Sequence, residues 1–204
     1  SLMRHLEASG VSRDSGGILH INGSPTDAAA GLIKKGIKAG IATSGYKVLA
    51  EFDTPDWAPP KAQEWAAGQV SRFGDQIIGV VAANDGTGGG AIAAMKAAGV
   101  SPLPPVTGND ATIAALQLII AGDQYNTISK PSEIVAAAAA RVAVQFLNGE
   151  TPTAYTSLYN TPSQLFVPTV VTRYNIKEIV FDSGVTAAKD VCTGRYAAGC
   201  DQLG

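Results

Sequence analysis

Charge is scarce in this sequence, and so are the residues that most often do chemistry. Only 16% of its 204 residues are Asp, Glu, Lys or Arg, and 15 cationic against 17 anionic side chains leave a net charge of −2. A chain so balanced has no electrostatic footprint for nucleic acid or an anionic membrane. Histidine occurs only as His5 and His20, so a nucleophile with its base, or a histidine-rich metal set, has little to draw on. No apolar run approaches the roughly 18 residues that a membrane span needs. The opening SLMRHLEASG has neither an apolar h-region nor a cleavage site. What is abundant is core: 46% of the residues are hydrophobic, enough for one large domain or two small ones.

The two cysteines stand near the C-terminus in DVCTGRYAAGC. Cys192 and Cys200 enclose a short loop with two glycines, which can close into a disulfide. The alternative is a pair of free thiols in a frayed tail. An even cysteine count confined to one exposed tail suits an oxidising compartment.

Apolar, β-branched runs recur along the chain: GGILHI from Gly16, YKVLAEF from Tyr46, QIIGVVAA from Gln76, PPVTG from Pro104 and QYNTIS from Gln124. Helical patterns lie between them, several ending in glycine, as helix C-caps often do. Strand alternating with helix predicts an α/β fold: a parallel sheet flanked by helices on both faces. After Lys130 the pattern changes. PSEIVAAAAARVAVQFLNG predicts a helix with Pro131 in its first turn and Gly149 at its end. That helix is apolar on nearly every side, so it calls for burial. ETPTAYTSLYNTPSQ reads as a polar connection, and LFVPTVVTRY and KEIVFD as two late strands. His5 falls in an exposed N-terminal helical stretch, and His20 is a packed core residue inside a strand.

VVAANDGTGGGAIAAMKAAG, residues 80–99, superficially resembles a strand, a phosphate-binding glycine turn and a helix. Gly86, Gly88 and Ala91 fit the dinucleotide spacing. Asn84 and Asp85, however, stand where a pyrophosphate would approach, and a carboxylate there repels it. The strand is also third in the series, and no Walker lysine follows. The remaining explanation is that the glycines permit tight strand–helix packing.

The polar residues are more informative. In a parallel sheet all C-terminal strand ends share one edge, where ligands bind. Strand one delivers Asn22, with Ser24 and Asp27 beyond. The loop after strand two carries Trp57. Strand three delivers Asn84 and Asp85, strand four Asn109 and Asp110, strand five Lys130. This set suits a monosaccharide, whose C–H face packs on an indole and whose hydroxyls both donate and accept. Each residue also has a plainer role: Trp57 as a loop anchor, Asp27 and Asp85 as helix N-caps, Lys130 as a solvated lysine, and Asn84 and Asp110 as caps. A glycosidase-like carboxylate pair of Asp85 and Asp110 is the weaker alternative, because sugar hydrogen bonding explains both without catalysis.

INGSPTDAAA, DWAPPKA, VVAANDGTGGGAIAAMKAAG, TGNDA and ISKPSEIVAAAAARVAVQFLNG resemble the type I periplasmic substrate-binding proteins of sugar ABC transporters, most nearly the D-xylose-binding group. The resemblance implies that Trp57 stacks on a sugar and that Asn84, Asp110 and Lys130 bind its hydroxyls. Asn22 stands where relatives often carry glycine, and its part in the site is open. No catalysis and no cofactor are implied. The implied partners are a monosaccharide and a transporter permease, with the membrane reached only through a lipid anchor outside this chain. The cysteine-bearing tail resembles that of actinobacterial members, which are lipoproteins held outside the cell. Such proteins have two lobes. The expected division is a C-terminal sugar-binding lobe over 1–130, a helix and crossover of the other lobe over 131–160, and returning strands with the tail over 161–204. The 131–149 helix, lacking its sheet, then offers a face for dimer formation. The rival is the effector domain of a sugar-responsive LacI-type repressor, with the same fold and a DNA-binding headpiece upstream.

Overall fold

The computed structural model describes residues 1–130 and 132–203; Pro131 lies outside the described residues, as does Gly204. The chain opens with helix α1 (Leu2–Ala8) and continues as β1 (Gly17–Asn22), α2 (Ala28–Ala42), β2 (Val48–Asp53), α3 (Pro59–Phe73), β3 (Ile77–Ala82), α4 (Asp85–Ala97), α5 (Ile113–Ala121) and β4 (Asn126–Ser129). The expected α/β architecture is present. β1 lies between β2 and β3, parallel to both. The fourth expected strand shrinks to single parallel bridges, Val80 to Val106 and Thr107 to Asn126, because Pro102, Pro104 and Pro105 donate no ladder hydrogen bonds. Those bridges carry the sheet across to β4.

Both faces of β1 are covered. Leu19 and Ile21 pack with Ala62, Ala66 and Val70 of α3 and Ala91, Ile92 and Met95 of α4. Ile18, facing the other way, packs with Leu2 and Leu6 of α1 and Ile41 of α2. His20 shares that second face and is fully buried, as its place in the strand implied. His5 is not exposed as expected: it is half-buried, stacked on Tyr125 with ring centroids 4.2 Å apart.

The glycine-rich stretch is no loop. Gly86 to Gly90 form the first turns of α4. A Cβ at Gly88 would stand 2.8 Å from the Thr107 carbonyl oxygen, and one at Gly90 would stand 2.6 Å from that of Pro59. The glycines therefore let α4 press on α3 and on the bridged segment at Thr107, which is the packing role and not the phosphate role.

Beyond β4 come α6 (Ser132–Leu147), a hairpin of β5 (Thr156–Leu158) and β6 (Thr161–Ser163), and β7 (Thr169–Thr172). The hairpin lies within the segment read as a connection. Its two-residue loop, Tyr159-Asn160, has φ of 51° and 61°, the signature of the type I′ turn that matches strand twist. β7 pairs antiparallel with β4. KEIVFD is not a strand: Lys177–Asp182 is helical. Ile176 and Val180, four residues apart, are both fully buried against Leu116, Ile119 and Val171, and that spacing is a helix repeat. Two short helices, α7 (Ala188–Val191) and α8 (Ala197–Cys200), finish the chain. Cys192 and Cys200 are disulfide-bonded, with Cα atoms 5.8 Å apart. The tail is not frayed. Val191 is buried, and Gln117 Nε2 donates to its carbonyl at 3.0 Å.

Candidate functional site

The C-terminal edge of the sheet gathers the residues expected there, each held by a different device. Trp57 follows β2 in a short turn where Asp56 and Trp57 both have left-handed backbone (φ 58° and 57°). Such strain persists only where the surroundings over-determine it, and here two contacts do. The indole lies on Gly23, where any Cβ would stand 2.0 Å from the ring, and its Nε1 donates to Asp27 Oδ2 at 3.0 Å. Asp27 also caps α2, accepting from the Ala29 N–H at 2.8 Å. The ring thus crosses from the loop of edge strand β2 to the end of β1, beside β3. Sequence reasoning did not single out Gly23; the signal was a glycine closing a central strand.

Asn84 caps α4: its Oδ1 accepts from the Thr87 N–H and hydroxyl, both at 2.9 Å. Among the described residues only this oxygen is engaged, and the Nδ2 donor has no protein partner. Asp110 and Lys130 meet directly, Nζ to Oδ1 at 2.6 Å, with both side chains partly open to solvent. The loop that carries Asp110 is strained, with φ of 110° at Asp110 and 52° at Ala111.

Two expected residues turn out to be committed elsewhere. Asp85 is not the N-cap of α4. It is buried, and its carboxylate accepts from Thr127 Oγ1, the Thr112 N–H and hydroxyl, and Gln124 Nε2. Burial raises its pKa, opposed by those hydrogen bonds. Asn22 reaches sideways, its Nδ2 donating to Glu51 Oε1 at 3.1 Å, while its Oδ1 is buried without a partner among the described residues. Glu51 belongs to a cluster with Lys34, Lys38 and Asp53 on the α2 side of β2. Burial alone would raise the Glu51 pKa, but hydrogen bonds from Lys38, Lys34 and Asn22 outweigh it and hold the carboxyl at about 2. Asn109 donates Nδ2 to the Ala83 carbonyl at 3.3 Å and so ties its loop to β3.

The edge therefore presents an aromatic plate, an amide and a charged pair, with no group of His, Cys, Asp and Glu among the described residues able to hold a metal. Residues 2–151 match the periplasmic binding protein domain. This chain belongs to that family. It is 36% identical over 172 residues to the D-xylose-binding periplasmic protein of Escherichia coli (strain K12), covering 80% of this chain and 52% of that protein. It is 33% identical over 180 residues to the protein of that name from Haemophilus influenzae, covering 84% of this chain and 54% of the relative. The chain thus spans about half the length of the curated relatives it matches. Among solved structures, the ABC transporter solute-binding protein of Clostridium phytofermentans with bound β-D-glucose superposes at a TM-score of 0.80 over 93% of this chain and 64% of that one, at 22% identity. That likeness establishes the fold. Both named relatives are periplasmic D-xylose-binding proteins and not repressors.

Proposed function

We propose that this chain is one lobe of the extracytoplasmic solute-binding component of a sugar ABC transporter, and that a monosaccharide, D-xylose or a close relative, lies against its strand-end edge. The Asp110–Lys130 pair carries this reading. It offers an acceptor and a donor side by side, partly open to solvent, where a parallel sheet delivers its ligands. One sugar hydroxyl can donate to Asp110 while its neighbour accepts from Lys130, and charge-assisted bonds of this kind are the strong ones. Asn84 Nδ2 supplies a further donor, and the open face of Trp57 packs on ring C–H groups. Asn22, bonded to Glu51, supports this edge from beneath. The task is binding, with no bond made or broken.

Residues 1–130 form the gripping lobe in this scheme, and 131–160 cross to a second lobe before 161–204 return. A second lobe covers the apolar surface of α6, where Ile134, Val135, Val144, Phe146 and Leu147 are exposed around the helix. Without it, that surface favours dimer formation. The disulfide fits an oxidising location, and the protein works outside the cytoplasmic membrane as a lipoprotein of a Gram-positive organism, delivering sugar to a permease.

Titration of the isotope-labelled chain with D-xylose, followed by NMR, tests this. Amides of Asn84, Asp110 and Lys130 and the Trp57 indole should shift together. If half of a two-lobed clamp's contacts are absent, about 4 kcal/mol of binding is missing, so the Kd should be roughly a thousandfold weaker than that of a two-lobed receptor. Asp110→Ala should weaken it at least about tenfold further. No shift at this edge at saturating sugar, or an unchanged Kd in Asp110→Ala, would overturn the assignment.

A further inference from the structure

The buried Asp85 has no place among the groups offered to a ligand, yet its backbone N–H and its carboxylate bond the loop on the two sides of Asp110. On the near side its backbone N–H donates to the Asn109 carbonyl at 2.9 Å. On the far side its Oδ2 accepts from the Thr112 N–H at 2.8 Å and from the Thr112 hydroxyl at 3.1 Å. Its Oδ1 accepts from Thr127 Oγ1 at 2.7 Å and from Gln124 Nε2 at 3.2 Å. The Thr127 hydroxyl in turn accepts from the Ala111 N–H at 3.1 Å, and Asp110's own N–H donates to the Ile128 carbonyl at 3.0 Å. Residues 109 to 112 are thus pinned one after another, and Asp85 is behind three of the four.

The loop needs this. Asp110 and Ala111 both carry positive φ, a conformation a non-glycine residue keeps only under external constraint. Gly108 completes the fit, since a Cβ there would lie 2.1 Å from Asp85 Oδ1. All of the carboxylate's side-chain partners are donors, so only a group that accepts at both oxygens satisfies them.

We infer that Asp85 is the positioning residue of the site: it holds the strained 108–112 loop against β3 and β4, so that Asp110 is kept beside Lys130. The proposal rests on the sugar-binding reading for its effect on affinity, but not for its effect on the loop.

Asp85→Asn tests it, because the amide keeps the volume and replaces one acceptor oxygen with a donor. Amide hydrogen exchange should rise at least tenfold at Ala111 and Thr112 while β1 and α3 amides keep their protection. Affinity for D-xylose should fall about tenfold, the size of one lost hydrogen bond to a charged group. The double variant Asp85→Asn/Asp110→Ala should bind no more weakly than Asp110→Ala alone, since Asp85 acts only through Asp110. Asp85→Glu, which restores two acceptor oxygens, should recover part of the loop protection. Should Asp85→Asn fail to fold, Thr127→Val, which removes only the bridge to Ala111, should give the same loop-specific exchange and a smaller affinity loss. Unchanged exchange at 111–112, or fully additive losses in the double variant, would overturn the assignment. If no form binds D-xylose, the sugar reading falls and the exchange result alone decides the loop's holder.

Discussion

α5 and α6 are both largely aliphatic, and they end in opposite surroundings. Ala115, Leu116, Ile119 and Ile120 of α5 are buried against β7 and the C-terminal helical turns. Of the sixteen residues of α6, Ala138 is the one described as buried, while Phe146 is 67% exposed and Leu147 86%. An apolar helix states a demand for cover; it does not say which surface meets the demand. Only long-range partners settle that: α5 meets β7 and the C-terminal helical turns, and the second lobe proposed above would supply them for α6.

Truncation should separate the two most sharply. Leu116→Ala should destabilise the chain by about 2–5 kcal/mol, the usual cost of emptying a packed site. Equal urea midpoints for Leu116→Ala and the unaltered chain would erase the contrast.

Acid should act next, and on the sheet half alone. His20 is fully buried, and neither ring nitrogen has a hydrogen-bond partner among the described residues. Burial, partly opposed by Glu51, lowers its pKa from 6.5 to about 4. A histidine that folds neutral takes its proton more readily when unfolded. Its contribution is therefore whole above pH 6.5 and is lost as pH falls toward 4, on the order of 3 kcal/mol in all. Glu51 works over a lower window. Its carboxyl, normally near 4.5, is held at about 2, so its contribution is present above 4.5 and is lost as pH falls toward 2. Urea unfolding between pH 7 and 4 should show the first loss, and His20→Leu should flatten that limb. A His20→Leu limb as steep as the original would place the acid sensitivity elsewhere.

Reducing the disulfide should remove roughly 2–3 kcal/mol by the chain-entropy account, felt as faster exchange in residues 188–203 and not at Asn84 or Asp110. Smallest of all, Phe146→Ser should change chain stability by about 0.5 kcal/mol or less. It should nonetheless reduce concentration-dependent association in sedimentation runs, since it removes apolar surface from the open face.

The sheet and the polar residues along its strand-end edge were legible in the sequence for one physical reason. Strand and helix alternate with a clear period, and each strand ends in a polar residue that has no business in a core. The remainder depended on contacts far along the chain. Asp85 looked like a helix cap because its true partners, Thr112, Gln124 and Thr127, lie up to 42 residues away. Gly23 and Trp57 meet across two strands. KEIVFD is too short to show a period of its own, and only the joint burial of Ile176 and Val180 reveals the helix. Asn22 stood at a strand end like the rest, but the neighbouring Glu51 claimed its amide.

The β4–β7 pairing has a further consequence for how such a chain is made. β4 is synthesised before α6 and the hairpin, whereas the strand that covers its edge is the last of the chain's strands. Until Thr169–Thr172 arrive, the N–H and C=O groups of Asn126–Ser129 that β7 will engage stand open, and an open edge is a template for pairing with another molecule. β4 is short and polar, Asn-Thr-Ile-Ser, and so a poor template. The nascent chain is guarded by the composition of its own unfinished border until the returning strand seals it.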